Sequence, residues 1–268
     1  MSSIASALPS TVRSLGKTAL SKVPQVTLAF WIVKICATTL GETGGDALSM
    51  TLKLGYAAST LIFLALFAAT LAGQLSATRY RPVLFWLVVV ATTTVGTTTS
   101  DYLDRTLGLG YVTSSIMLFC AVIAVLLIWR GVSGTISVDR ITTRTNEVFY
   151  WLTILVSNTL GTALGDFTAS TTGLGFERGA LVFGALLAVV AAAHFFTKIP
   201  GAVLFWAAYV LTRPLGATLG DILTKGHDVG GLNLDRISSS LVIAIVMALI
   251  VAATVQREPN PDPVAERG

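Results

Sequence analysis

The chain has 268 residues, 53% of them hydrophobic and only 12% charged, with a mean hydropathy of +0.77, a balance that excludes an ordinary water-facing surface and calls for a bilayer. The formal net charge of +4 does not point to nucleic acid, because the basic residues are scattered among short loops without interleaved aromatics and read as topology signals. Cys36 and Cys120 lie in apolar segments with no second Cys or His at ligand spacing, so neither a disulfide framework nor a soft-metal site is indicated.

Residues 1–25 carry Arg13, Lys17 and Lys22 among serines and lack the apolar run and cleavage pattern of a secretory signal. They are expected to stay on the chain as a cytoplasmic segment, either lying on the membrane through Leu15, Leu20 and Val23 or forming a disordered lead-in. From Phe30, FWIVKICATTLGETGGD reads as a helix with a polar stripe, and 57–75 as a second helix free of charge. FWLVVVATTTVGTTTSD from Phe85 is followed by an apolar window at 111–129, YWLTILVSNTLGTALGD from Tyr150 by one at 179–196, and FWAAYVLTRPLGATLGD from Phe205 by one at 237–255. Each apolar window is long enough to span. Residues 257–268, rich in proline and mixed charge, are expected to be a disordered tail.

The four motif segments obey one rule, aromatic-Trp-x9-Gly-x4-Asp-x8-Gly. Its fixed points are Trp31, Trp86, Trp151 and Trp206; Gly41, Gly96, Gly161 and Gly216; Asp46, Asp101, Asp166 and Asp221; and Gly55, Gly110, Gly175 and Gly230. Such self-similarity marks a repeat protein. The offsets of 55, 65 and 55 residues imply that a pair of repeats was itself duplicated, with ten extra residues in the loop around 130–144. A single transmembrane domain at 26–256 follows, with repeats at approximately 26–75, 81–130, 146–196 and 201–256. Eight transmembrane helices are predicted, as four tandem two-helix hairpins in parallel orientation about an axis along the membrane normal.

Loop charge gives the orientation. Eleven Lys and Arg residues fall on the side of the termini and inter-repeat loops (Arg13, Lys17, Lys22, Arg79, Arg81, Arg130, Arg140, Arg144, Lys198, Arg257, Arg267), against five in the turns within repeats (Lys53, Arg105, Arg178, Lys225, Arg236). Both termini are therefore expected in the cytoplasm, and the aromatic-Trp pairs at a cytoplasmic interfacial belt. At about 1.5 Å per residue Asp46 lies roughly 22 Å beyond Trp31, past the midplane.

Steps of four residues along each motif helix follow one face. They stack Lys34; then Thr38, Thr93, Asn158 and Arg213; then Glu42, Thr97 and Thr162; and outermost the four aspartates. Beside this stripe run Gly41 and Gly45, Gly96 and Ser100, Gly161 and Gly165, Gly216 and Gly220, a small-xxx-small spacing that lets backbones approach in lipid. The second helices are apolar on every face. The expected all-α architecture is an inner ring of four motif helices within an outer ring of four apolar ones.

Ionisable residues at membrane depth mark ion or proton paths more often than not. For the aspartates the competing reading is structural, as caps of the turn. Glu42 breaks the repeat symmetry, with Arg213 its natural counter-charge or part of a purely structural pair; Lys34 either serves a path or snorkels to the cytoplasmic surface. The threonines either line the path or bond helix carbonyls.

The fourfold unit, and the run TTLGETGGD in particular, resembles a bacterial family of membrane-anchored proteins defined by a repeat of unknown function. The resemblance covers 30–255 and implies a multi-pass inner-membrane protein; it carries no activity with it. From the residues, the leading expectation is a transporter or channel for a small hard cation, with Glu42, Asp46, Asp101, Asp166 and Asp221 as ligands of a transported or bound divalent cation or as proton carriers. The alternatives are a secondary transporter of a small organic or anionic solute bound by Arg213 and Lys34, and a membrane-embedded structural protein. No enzyme motif, resident cofactor or nucleic-acid partner is expected; the bilayer and a small cation or solute are.

Overall fold

The computed structural model describes residues 23–77, 79–138, 141 and 143–255. Residues 1–22 of the lead-in and the tail, with Arg13, Lys17, Lys22, Arg257 and Arg267, lie outside the described residues, as does Arg140 of the longer loop. Among the described residues the chain forms eight long helices and no strand: α1 (Leu28–Asp46), α2 (Gly55–Ser76), α3 (Pro82–Asp101), α4 (Tyr111–Ser133), α5 (Arg144–Asp166), α6 (Gly175–Phe196), α7 (Gly201–Thr224) and α8 (Arg236–Val255). Seven of them, α2 to α8, are long and apolar enough to cross a membrane, which makes this a multi-pass membrane protein. α1 is of similar length, 19 residues, but carries Lys34, Glu42 and Asp46.

Local chemistry sets the helix ends. The Thr27 hydroxyl accepts the Phe30 N–H and the Thr143 hydroxyl the Asn146 N–H, and Pro82 opens α3, each a favoured N-terminal arrangement. α1, α3 and α5 do not stop at their aspartates but widen into five-residue π-helical turns, Ala47–Thr51, Tyr102–Thr106 and Phe167–Thr171. The last motif glycine then reverses the chain at positive φ: 76° at Gly55, 74° at Gly110, 76° at Gly175 and 86° at Gly230. A side chain there would be strained, which accounts for the fourth fixed point of the repeat. α7 departs from the pattern. It ends at Thr224, and a loop folds back on it, with the Asn233 N–H donating to the Lys225 carbonyl at 2.9 Å.

The motif helices close a cycle: α1 packs on α3 and α7, and α5 on α3 and α7. The apolar helices correct the simple hairpin picture. α2 packs on α3, α4 on α5, α6 on α7, and α8 on α1, so each lies chiefly against the motif helix of the next repeat. Both flanks of every motif helix are already occupied by its ring neighbours, and the turn delivers the chain over the adjacent one. Most of the surface of α2, α6 and α8 stays open, as suits lipid.

One rule generates the four seams. A Cβ on Gly41 would collide with Thr93, on Gly96 with Asn158, on Gly161 with Arg213 and on Gly216 with Thr38. Each glycine thus receives the next helix, and the Thr93 hydroxyl donates to the Ala37 carbonyl at 3.1 Å, as Thr38 does to that of Thr212 at 3.3 Å. At Gly96 the obstruction is backbone, with the Asn158 carbonyl carbon 2.8 Å from the added Cβ and the Thr159 nitrogen 2.9 Å. Gly96→Ala should therefore cost about 1–3 kcal/mol of stability. Gly184→Ala, which meets nothing within 4 Å, should cost nothing measurable; reversible unfolding in mixed micelles compares the two.

The aromatic pairs obey the same cycle. Ring centroids lie 5.6 Å apart for Phe30 and Trp86, 5.5 Å for Phe85 and Trp151, 5.9 Å for Tyr150 and Trp206, and 5.7 Å for Phe205 and Trp31. Trp86, Trp151 and Trp206 are buried, so these rings pack between helices. Ile136, Val138 and Ile141 of the longer loop join the cluster, and the Trp206 indole N–H donates to the Ile136 carbonyl at 3.0 Å.

Candidate functional site

The four polar stripes meet in the interior that the motif helices enclose. Thr38, Thr93, Asn158 and Arg213 are buried, as are Glu42, Thr97, Thr162 and all four aspartates. Several of the threonine hydroxyls also bond carbonyls of their own helix, Thr38 to Lys34 and Thr97 to Thr93 among them.

Lys34 does not snorkel. It is 0% exposed, its Nζ donating to the Asn158 Oδ1 at 3.4 Å and lying 4.2 Å from the centre of the Tyr209 ring. The Asn158 amide is held in that orientation by its own donation to the Thr92 hydroxyl at 3.0 Å. An acceptor and an aromatic face inside the bundle thus replace the surface that a longer reach would find.

Arg213 crosses the interior. Its guanidinium pairs with Glu42 at 3.1 Å and donates to the Thr162 hydroxyl at 2.7 Å, to the Thr97 hydroxyl, and to the Thr38 and Thr93 carbonyls at 3.3 and 3.4 Å. It therefore ties α7 to α1, α3 and α5 at one level. Glu42 also accepts from the Thr97 hydroxyl at 3.2 Å.

The aspartates divide into two bridged pairs. Lys225 sits between Asp46 at 2.7 Å and Asp221 at 3.1 Å, with the Arg236 Nε 3.6 Å from Asp46. Arg105 joins Asp101 at 2.8 Å to Asp166 at 3.6 Å. Sequence reasoning used Arg105, Lys225 and Arg236 only as loop charge. The clue to two of them was the spacing, since Arg105 and Lys225 each follow their aspartate by four residues, one helical turn. Of the five carboxylates named as metal ligands, Glu42, Asp46 and Asp221 come together, with one oxygen of each within 4.8 Å of the others. Asp101 and Asp166 belong to the separate Arg105 pair.

The packing glycines lie at the seams: beyond the four already named, a Cβ added to Gly45 would meet Thr97, one on Gly165 would meet Ala217, and one on Gly220 would meet the Glu42 side chain at 2.8 Å. Ser100 instead turns its hydroxyl to Asp104 at 3.3 Å, which also accepts from Ser114 of α4 at 2.5 Å.

No curated protein and no solved structure matches the chain. The family model described as Repeat of Unknown Function (DUF347) matches four times, at residues 29–80, 84–135, 149–199 and 204–259. These matches take in most of the chain and coincide with the four repeats read above, so the chain belongs to the family built from this repeat.

Proposed function

We propose that the protein moves a small hard cation across the membrane through the interior between the four motif helices. In this reading α1 spans with the other seven helices, the four repeats share one orientation, the aromatic end faces the cytoplasm as the loop charge indicates, and the membrane is the bacterial inner membrane. The observation that carries the proposal is the convergence of Glu42, Asp46 and Asp221, three buried carboxylates from two helices. Burying them in a bilayer costs several kcal/mol each without compensation. The carboxylate oxygens they offer suit a hard cation once Lys225 gives way.

The conformation is closed. Arg213 bridges the middle, Lys225 occupies the acidic cluster, and the aromatic rings with Ile136, Val138 and Ile141 fill the inner end. A cation passes only after the Arg213–Glu42 and Lys225–Asp46 pairs part, which describes a carrier with an occluded state better than a continuously open channel.

Flux into proteoliposomes across a panel of alkali and divalent cations tests the proposal. Uptake should fall by about tenfold or more in Glu42→Gln and in Asp46→Asn, each of which removes a charged ligand, while helicity and gel-filtration profile are retained. Uptake of an organic or anionic solute, lost in Arg213→Ala, would replace the cation with that solute. Absence of flux for every species would leave a structural protein.

A further inference from the structure

Two of the four repeats place a cation one helical turn beyond their aspartate, and two do not. Arg105 follows Asp101 by four residues and Lys225 follows Asp221 by four, where repeats one and three have Met50 and Ser170. Each cation also reaches the aspartate of the following repeat around the ring, Arg105 that of Asp166 and Lys225 that of Asp46. The outer end of the interior thus consists of two acid pairs, each closed by one cation, as a duplicated pair of repeats would leave it.

The two closures differ in chemistry. Arg105 lies within the π-helical turn Tyr102–Thr106 and offers separate nitrogens to its two carboxylates, Nε to Asp101 at 2.8 Å and Nη2 to Asp166 at 3.6 Å. A rigid planar fork used in this way is a brace. Lys225 lies just past the end of α7 on extended backbone, and its single Nζ is shared by Asp46 at 2.7 Å and Asp221 at 3.1 Å. An ammonium on a flexible stem is a compact point charge, and here it fills the place of a small ion. Its side chain is still 13% exposed, so water is within its reach. The third carboxylate, Glu42, stands only on this side; the matching position in repeat three is Thr162.

Among the described residues Glu42 also has Arg213 and Asp46 has Arg236 at 3.6 Å, whereas Asp221 touches no cation but Lys225. The Asp221 Oδ1, in a residue 2% exposed, has that ion contact and no hydrogen bond. We propose that Lys225 is a tethered cation, which holds the place of the transported ion between Asp46 and Asp221 in the closed state. The incoming ion takes that place as the ammonium swings out to water, and Arg105 stays where it is. Exchange is by direct competition for the same carboxylate oxygens. The loop after α7 sets the resting position: the Lys225 carbonyl accepts the Asn233 N–H at 2.9 Å, and a Cβ on Gly231 would collide with that carbonyl.

The tethered cation rests on the pathway proposed above, and measurements of binding keep the failure of one apart from that of the other. In the unaltered protein in micelles, Na⁺ or Mn²⁺, each titrated separately against choline, should raise acetylation of Lys225 by a water-soluble reagent several-fold, read by mass spectrometry. The exposed Lys53 is the internal standard and should not change. A purely structural pair would not release its lysine to an ion. Lys225→Met should tighten binding of the same ion by about tenfold or more, because a charge-assisted contact no longer competes. Gly231→Ala, which alters no charge, should tighten it in the same direction by unseating the Lys225 backbone. Lys225→Arg, with a fork in place of the ammonium, should lower uptake into proteoliposomes by about tenfold or more. Lys225 acetylation unmoved by either ion, or binding no tighter in both Lys225→Met and Gly231→Ala, would overturn the tethered cation, while uptake by the unaltered protein would still uphold the pathway. Ion-dependent acetylation without any uptake would keep Lys225 as the occupant of a cation site and remove the pathway.

Discussion

Replacing Arg213 by leucine should destabilise the bundle by about 3–5 kcal/mol, the range seen when one partner of a buried ion pair is removed. Arg213 is 0% exposed and Glu42 3%, so water does not take the place of the lost partner. The same change strips the Thr162 hydroxyl and the Thr38 and Thr93 carbonyls of a donor. Reversible unfolding in mixed micelles measures the loss, and Arg178→Leu, at an exposed position, is the control expected within about 0.5 kcal/mol of the parent. The diagnostic outcome is the double variant. If the cost is chiefly an uncompensated Glu42, then Arg213→Leu combined with Glu42→Leu should be more stable than Arg213→Leu alone. Equal or additive losses would mean that Arg213 acts by packing against Gly161, and that parting the pair does not gate the interior.

The repeat rule made much of this legible. Fixed spacing put equivalent residues at equivalent depths, and steps of four placed Thr38, Thr93, Asn158 and Arg213 at one level because an α-helix has no other way to arrange them. Small residues at Gly41, Gly96, Gly161 and Gly216 announced close seams, and each receives the facing helix. What stayed hidden depends on partners distant in sequence. Lys34 read equally well as snorkelling or buried until Asn158, 124 residues on, and Tyr209 were in place. Arg105 and Lys225 looked like loop charge because the motif helices seemed to end at their aspartates; in repeats one to three the π-helical turn carries the helix further. The aromatic pairs matched an interfacial belt by composition, and only the ring's closure turns each of them onto the next tryptophan.

Departures from the repeat concentrate where its two ends meet. Repeat one supplies Lys34 and Glu42, repeat four supplies Arg213, Pro214 and Lys225 together with a looped exit in place of the π-helical turn. Two of these departures bridge the seam between α1 and α7, where Glu42 pairs with Arg213 and Asp46 with Lys225. The other three seams rest on glycine, threonine and asparagine contacts, supplemented by the Arg105 bridge to Asp166 and the Arg213 donation to Thr162. A ring of identical units has no preferred place to open. In the proposed transport cycle the α1–α7 seam, with two ion-pair bridges where the α3–α5 seam has one, is where an arriving proton or cation would change the contacts most.

Cysteines replacing Thr43 and Ser240 should cross-link almost completely under mild oxidation, in a background where Cys36 and Cys120 are alanine. The hydroxyls of these two residues lie 2.8 Å apart although 197 positions separate them, because α8 of the last repeat packs on α1 of the first. The informative control pairs Ser240→Cys with Thr218→Cys, the residue of repeat four that corresponds to Thr43. Were each apolar helix packed on the motif helix of its own repeat, this second pair would cross-link and the first would not. Gel mobility distinguishes the two, since a bridge between α1 and α8, 197 positions apart, closes most of the chain into a loop and compacts the denatured form. Cross-linking of the first pair alone establishes that the ring is closed by exchange of helices between successive repeats, the arrangement that brings Glu42 and Asp46 of the first repeat against Arg213 and Lys225 of the last.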